Sequence, residues 1–137
     1  MGKNLISIEN AKAWTKNYQN NMQKGSAKAF LISCETIVDI LQEMKVLQSD
    51  SKGKYTFHNV SESSFRGYLA INPKQTEANG ETLVMVGTMK DNSGVERDMV
   101  EEEKNAPFSK SDLDGSGAFD FAKPCPIYCD ENSPLNH

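Results

Sequence analysis

The segment Thr82-Leu-Val-Met-Val-Gly-Thr-Met89 is the most strand-like stretch of the chain. Its apolar residues form a nearly continuous run, which is typical of a central strand covered on at least one face and partly on both. We therefore predict a central strand at this position, and the rest of the fold is built outward from it.

Strand signals also occur on both sides of this segment. Asp91-Asn-Ser-Gly94 follows it and predicts a tight turn, because Asp and Asn favour turns and Gly supplies a positive φ. The returning strand is predicted over Val95–Val100, and its polar residues are typical of a sheet edge. Further strands are predicted over Tyr55–Phe57, Phe65–Ile71 and Ala118–Ala122.

Two amphipathic helices are predicted before the strands. Ile8–Gln23 carries apolar residues at three- and four-residue spacing after Ser7, a candidate N-cap. Cys34–Leu47 has a broad apolar face and follows Ser33, which we expect in the same role. Helices followed by strands point to an α+β fold, with two N-terminal helices packed on one face of an antiparallel β-meander of about 4 strands.

Length and charge limit the domain count and the kinds of partner. A chain of 137 residues has room for one core, so we predict a single α+β domain over residues 1–123 and a Pro/Cys tail over 124–137. The 15 Lys and Arg residues are scattered and outnumbered by 19 Asp and Glu residues, whereas nucleic-acid binding needs clustered basic side chains. We therefore expect no nucleic-acid partner.

Hydropathy gives no sign of a membrane segment or a secretion signal. A membrane helix needs about 18 or more apolar residues, and no stretch of the sequence approaches that length. The N-terminal residues up to Trp14 also lack the continuous apolar region of a secretory signal. We therefore expect a cytoplasmic protein without a membrane partner.

Residues 112–120 fit much of a calcium-binding EF-hand loop. Oxygen-bearing side chains stand at positions one, three, five and nine, and glycine stands at position six. Position twelve is Lys123 instead of a bidentate Glu, and no helix is predicted on either side. We expect a Gly-rich turn here, with calcium binding as the alternative. The candidate metal ligands are Asp112, Asp114, Ser116 and Asp120.

Cys125 and Cys129 have three residues between them in the proline-rich tail. Two thiols this close can form a disulfide if the backbone turns. A tail without special chemistry, a disulfide, half of a metal site and a redox dithiol all remain open. Cys34 is the third cysteine, and we expect a buried free thiol there instead of a nucleophile paired with His58.

Arg66 lies inside a predicted strand, where a charged side chain needs a partner or water. Glu96 and Glu101 are its candidate partners across the sheet. If the C-terminal tail lines a pocket with Arg66, Tyr68 or His58, that pocket is a candidate site.

Three segments together resemble a group of small uncharacterised bacterial proteins. They are Phe65-Arg-Gly-Tyr-Leu-Ala70, Thr82-Leu-Val-Met-Val-Gly87, and a tail that runs from Pro124-Cys-Pro-Ile-Tyr-Cys129 to Ser133-Pro-Leu-Asn136. Ile127 stands where a second proline is common in that group. The resemblance implies no catalytic residues, since the group has no established activity. It does add weight to the tail as a selected feature of the protein.

These observations favour a noncatalytic binding or protein-interaction module over an enzyme. The sequence contains no Gly-rich phosphate loop, no Gly-x-Ser-x-Gly motif and no His-Glu-x-x-His motif. The alternatives are a small thiol-redox protein or enzyme that uses Cys125 and Cys129, and calcium binding by the loop that starts at Asp112. The expected partner is an unknown protein or a second copy of the chain paired through the Val95–Val100 edge.

Overall fold

The computed structural model describes residues 4–120 and 122–137. These residues form two α-helices, α1 (Ile8–Asn21) and α2 (Cys34–Glu43), and eight strands. The strands are β1 (Ala29–Ile32), β2 (Leu47–Ser49), β3 (Tyr55–Phe57), β4 (Phe65–Ile71), β5 (Glu81–Lys90), β6 (Glu96–Asp98), β7 (Ala118–Phe119) and β8 (Ala122–Cys125). No helix within the described ranges has both the length and the apolarity needed to cross a bilayer.

The predicted layout of two helices on one face of a single four-stranded meander is wrong. The described strands divide among three small sheets: β1 with β8, β2 with β3, and β4, β5 and β6 in that order with β7 paired to β5. Among these strands only β4 and β5 are longer than four residues. Six of the eight described strands have four residues or fewer, so they do not extend into one long meander, and the α+β chain forms several small sheets instead.

β5 contains the whole of Thr82–Met89 and lies between β4 and β6, as predicted for a central strand. The predicted turn after it is also confirmed, because the Gly94 N–H donates to the Asp91 carbonyl at 3.0 Å. β6 then pairs antiparallel with β5, with Lys90 opposite Glu96. Turn chemistry and apolar patterning together determine this part of the fold.

The returning strand is shorter than the predicted Val95–Val100, since β6 covers only Glu96–Asp98. The Val100 N–H donates to the Asp98 carbonyl at 3.0 Å, which turns the chain away from the ladder. The predicted last strand over residues 118–122 is likewise two strands, β7 and β8, and position 121 between them lies outside the described residues. Self-association through the β6 edge stays a prediction.

Both helices begin at the predicted N-caps. The Ser7 hydroxyl accepts from the Asn10 N–H at 3.1 Å, and the Ser33 hydroxyl accepts from the Thr36 N–H at 3.1 Å. These bonds satisfy backbone donors that the first helical turn leaves unpaired. α1 ends at Asn21, two residues before the predicted end.

α2 ends at Glu43 instead of the predicted residue 47, because Lys45 adopts a left-handed conformation with φ of 60°. The Val46 N–H then donates to the Leu41 carbonyl at 2.9 Å, and the Lys45 N–H donates to the Gln42 carbonyl at 3.0 Å. This pair of bonds is the Schellman motif, which caps helix C-termini. The chain therefore leaves the helix early and enters β2.

The described chain divides into two compact units. The first unit contains residues 4–31, 69–82 and 122–137, and the second contains residues 32–68 and 83–120. The predicted division into a domain over 1–123 and a tail over 124–137 is not tested by this grouping and stays a prediction.

The second unit has a contiguous apolar core. Its largest fully buried side chains are Ile40, Met85 and Met99, and Met44, Val46 and Phe119 complete the cluster. Gly117 has φ of 84°, and the Met99 carbonyl lies in the space that a Cβ at position 117 would need. Only glycine fits this approach of two backbone segments without strain.

The first unit buries smaller nonpolar side chains. Ala27, Ala78, Pro124 and Cys125 are buried there. All fourteen residues of α1 are described, and none of them is buried. Polar contacts and a covalent bond therefore hold much of this unit together, and they define the candidate site below.

Candidate binding site in the C-terminal tail

Cys125 and Cys129 form a disulfide that closes a loop directly after β8. Their Cα atoms are 4.7 Å apart, within the range that a disulfide spans. Cys125 is 4% exposed, whereas Cys129 is half-buried. The Tyr128 N–H donates to the Pro124 carbonyl at 2.9 Å and tightens the same loop.

Gln19 on α1 binds the last residues of the chain through both ends of its side-chain amide. Its Nε2 donates to the Leu135 carbonyl at 2.9 Å, and its Oε1 accepts from the His137 N–H at 2.7 Å. Thr15, one turn earlier on α1, shares a 3.1 Å hydrogen bond with the His137 ring. These contacts fix the C-terminus along one face of α1.

Lys28 holds the same segment from the residue before β1. Its Nζ donates to the His137 carbonyl at 2.6 Å and to the Asn136 side-chain oxygen at 3.3 Å. The backbone N–H of Lys28 also donates to the Cys125 carbonyl at 2.6 Å. One residue therefore fastens both the start and the end of the tail.

The tail keeps its shape through its own turns. The Ser133 N–H donates to the Asp130 carbonyl at 3.2 Å, and the Asn136 N–H donates to the Ser133 carbonyl at 3.1 Å. The Asn136 side chain also donates to the Asp130 carbonyl at 3.1 Å. The Ser133-Pro-Leu-Asn136 motif is thus a folded segment, which explains why short polar and proline residues recur in it.

These contacts border an open cavity of about 260 Å³, which we call the tail cavity. Its walls come from α1, the start of β1, the disulfide loop and the terminal turns. The lining side chains include Thr15, Gln19, Lys28, Ala29, Tyr128, Asp130, Ser133, Leu135 and Asn136, together with both cysteines of the disulfide.

Arg66, Tyr68 and His58, the predicted pocket residues, lie in two hydrogen-bonded groups, and a pocket formed by all three stays a prediction. The Arg66 guanidinium and the Tyr68 hydroxyl both donate to the Asp98 carboxylate. Hydrogen bonding with Tyr68 and the charge of Asp98 raise the pKa of Arg66. His58 instead shares a 2.9 Å hydrogen bond with Thr56. Asp98 is thus the shared partner of Arg66 and Tyr68. The sequence alone indicates only Glu96 and Glu101 as candidate partners of Arg66.

The candidate calcium loop is occupied by internal contacts. Asp112 forms a 2.9 Å ion pair with Lys45, whose hydrogen bond lowers the pKa of Asp112. The Asp114 N–H donates to the Glu43 carboxylate at 2.6 Å, and the Ser116 hydroxyl accepts from the Ala118 N–H at 3.2 Å.

No group of three or more His, Cys, Asp or Glu residues in the described part of the chain is arranged to hold a metal ion. Calcium binding through Asp112, Asp114, Ser116 and Asp120 stays a prediction.

Sequence reasoning singled out the cysteines of the tail but missed Gln19 and Lys28. Both residues lie more than a hundred positions from the terminal residues that they bind, and nothing in a local pattern distinguishes them from solvated polar residues. The prediction that Cys34 is buried is wrong, since this free cysteine is exposed.

No protein-family model matches the sequence, no curated protein matches it, and no solved structure matches it. The resemblance of its segments to small bacterial proteins therefore stays an expectation.

Proposed function

We propose that the protein is a noncatalytic binding module whose ligand site is the tail cavity. The observation that carries this proposal is the double hydrogen bonding of Gln19 to Leu135 and His137, which fixes one wall of the cavity. The disulfide fixes another wall covalently. A site whose walls are already ordered loses less entropy when a ligand binds.

The size and lining of the tail cavity indicate what it binds. Its volume of about 260 Å³ lies just below the range of about 300–1,000 Å³ that is common for drug-sized ligands. Ala29, Leu135 and the ring of Tyr128 offer apolar surface, and Lys28 and Asp130 offer charge at the same site. This combination suits a single apolar side chain of a partner protein better than a whole cofactor.

Titration with blocked single amino acids tests the proposal. Each N-acetyl amino-acid methylamide is added to isotope-labelled protein, and the amide resonances of Leu135 and Asn136 are followed by NMR. We expect saturable shifts with apolar or aromatic side chains and none with acidic ones. The proposal fails if no member of the set produces a saturable shift at these residues.

A cavity-filling variant makes this test specific. Ala29 lines the cavity, so Ala29→Phe should occupy it and abolish the shifts. Ala13→Phe adds the same side chain at an exposed position on α1 and is the matched control. If Ala29→Phe binds as the native protein does, the ligand site lies elsewhere.

Thiol–disulfide exchange is a second candidate, because the disulfide lines the same cavity and Cys129 is more exposed than Cys125. In such a reaction a substrate thiolate attacks the Cys129 sulfur and the Cys125–Cys129 bond breaks. A mixed disulfide forms at Cys129, and Cys125 leaves as a thiolate that takes a proton from water. Exchange of this kind requires one accessible sulfur.

Reaction with reduced glutathione distinguishes the two candidates. The experiment uses Cys34→Ser protein, because the native Cys34 thiol is exposed and would also react. A mixed disulfide at Cys129, detected by mass spectrometry, supports a redox role. An intact disulfide at physiological glutathione levels supports a structural bond and the binding module.

A cytoplasmic location remains the expectation from the sequence. A stable disulfide is more typical of oxidising compartments, so the oxidation state of Cys125 and Cys129 in cells tests this expectation. Trapping thiols with an alkylating agent before lysis should show reduced cysteines if the protein works in the cytoplasm.

A further inference from the structure

The second unit contains a cavity of about 290 Å³ with an unusual concentration of negative charge, which we call the acidic cavity. It lies where the last turns of α2 face the loop that follows residue 111. Four of its six lining residues carry carboxylates. The lining residues are Asp39, Gln42, Glu43, Asp112, Leu113 and Asp114.

Glu43 is the buried carboxylate of this cavity. The residue is 6% exposed, and its Oε2 accepts from the Asp114 N–H at 2.6 Å. Its Oε1 is buried and has no hydrogen-bond partner among the described residues. Burial raises the pKa of Glu43. An unsatisfied buried carboxylate oxygen is costly, and a positive charge bound in the cavity beside Glu43 would offset part of that cost.

The position of Glu43 on α2 adds to that cost. Glu43 is the last residue of the helix, where the helix dipole disfavours negative charge. Asp39 stands one turn earlier, and like charges at this spacing repel each other. Two acidic residues at the end of a helix thus destabilise the folded protein, and a positively charged ligand would relieve both effects.

The arrangement of the carboxylates selects among positively charged ligands. No three His, Cys, Asp or Glu residues in residues 4–120 and 122–137 converge as a metal ion requires. Lys45 neutralises Asp112 through a 2.9 Å ion pair, which leaves the charges of Asp39, Glu43 and Asp114. A planar ligand with several hydrogen-bond donors can bond to carboxylates that lie apart from one another. A metal ion cannot, because its ligands must converge on one point.

We propose that the acidic cavity binds a guanidinium group. A guanidinium has five N–H donors in a flat fork and is only weakly hydrated. It can therefore bond to carboxylates from both α2 and the facing loop while its face lies against the apolar side chain of Leu113. This site is independent of the tail cavity, and the group comes either from an arginine side chain of a partner peptide or from a free guanidinium compound.

Matched small probes test the proposal on the full chain. Free arginine, N-acetyl-arginine methylamide and the corresponding citrulline and lysine derivatives are titrated while the amide resonances of Asp114 and Leu113 are followed by NMR. We expect saturable shifts with arginine probes and none with citrulline, which has the same shape without the charge. Binding of the blocked derivative alone indicates a peptide source, and equal binding of free arginine indicates recognition of the group itself.

Variants of the cavity complete the test. Glu43→Gln keeps the shape of the side chain and should weaken binding of the arginine probe about tenfold, since the negative charge that attracts the guanidinium is removed. Asp39→Asn should weaken it as well, whereas Glu102→Gln changes an exposed acid elsewhere and should not. The proposal is overturned if citrulline binds like arginine, if lysine or calcium binds more tightly than arginine, or if Glu43→Gln leaves the affinity unchanged.

Discussion

The two units of this protein are held together by different forces. In the second unit, Ile40, Met85 and Met99 are fully buried and pack with Met44, Val46 and Phe119 in one apolar cluster. In the first unit the buried nonpolar side chains are small, and α1 buries none of its fourteen residues. There, a disulfide and side-chain hydrogen bonds from α1 and Lys28 fix the terminal segment.

The two units therefore show two ways of stabilising a modestly apolar chain: burial of large apolar side chains, and hydrogen bonds together with a disulfide. Burial of one large side chain contributes about 1.5–3 kcal/mol, whereas one hydrogen bond contributes about 1 kcal/mol net. The second unit should therefore depend strongly on single core residues. The first unit should depend on the disulfide and on several polar contacts of similar weight.

The largest effect is expected in the core of the second unit. Ile40 is fully buried on α2, so Ile40→Ala should lower the free energy of unfolding by about 3–4 kcal/mol. Denaturant unfolding followed by circular dichroism measures this loss. Val38→Ala is the matched control, since Val38 is 38% exposed on the same helix, and it should cost less than about 1 kcal/mol. Equal losses in the two variants would contradict the assignment of the core.

Removal of the disulfide should have the next largest effect, and it should act on the first unit. A loop closed by cysteines four positions apart stabilises the folded state by about 2 kcal/mol. The double variant Cys125→Ser, Cys129→Ser should lose this amount and speed amide hydrogen exchange in the tail. Cys34→Ser changes the exposed free cysteine and should leave exchange as it is. Unchanged exchange in the double variant would show that hydrogen bonds alone order the tail.

A smaller loss is expected when one polar contact of the first unit is removed. Gln19→Ala deletes two hydrogen bonds to the terminal backbone and should cost about 1–2 kcal/mol. The amide of His137 should then exchange faster with solvent, as measured by NMR. Asn20→Ala, an exposed neighbour on α1, corrects for helix propensity. The interpretation is wrong if both variants exchange alike.

The smallest effects concern pH and two carboxylates of the second unit with opposite shifts. Burial raises the pKa of Glu43 above its ordinary 4.5. Protonated Glu43 therefore contributes to stability fully below pH 4.5, and this contribution is lost as the pH rises through the pKa of the folded state. Hydrogen bonds from the Val95 N–H and then Arg97 lower the pKa of Asp91 below its ordinary 3.8. Its contribution is present above that pH and is lost as the pH falls through the folded pKa.

Amide variants separate these two contributions. Glu43→Gln should gain stability over the native protein as the pH rises from acid toward neutral. Asp91→Asn should show its deficit at neutral pH and lose that deficit in strong acid. Thermal unfolding at a series of pH values checks both trends, and parallel curves for the two variants would contradict the opposite shifts.

The elements that sequence reasoning predicted correctly depend on near neighbours. Ser7 and Ser33 cap helices through bonds to residues three positions away. The turn at Asp91 closes through bonds to Gly94 and Val95. Patterns of this length are visible in one sequence, because the residues that interact are also the residues that are read together.

The elements that sequence reasoning missed depend on distant residues. The early end of α2 requires Lys45 to adopt a positive φ. Neither the residue type of Lys45 nor its sequence neighbours predict this conformation. The tail meets α1 through residues 116 and 118 positions apart. Apolar alternation also does not specify partners, so the pairing of β1 with β8 could not be read from either strand alone.

Trp14 is the only tryptophan of the sequence, and it lies 58% exposed on α1 in the first unit. Its emission is therefore already close to that of a solvated indole and reports local events in one half of the molecule. Thermal unfolding followed by Trp14 emission would not detect the loss of the apolar cluster that contains Ile40 and Met99. Unfolding curves from Trp14 emission and from backbone circular dichroism should consequently have different midpoints. The difference between the midpoints would measure how cooperatively the two units unfold.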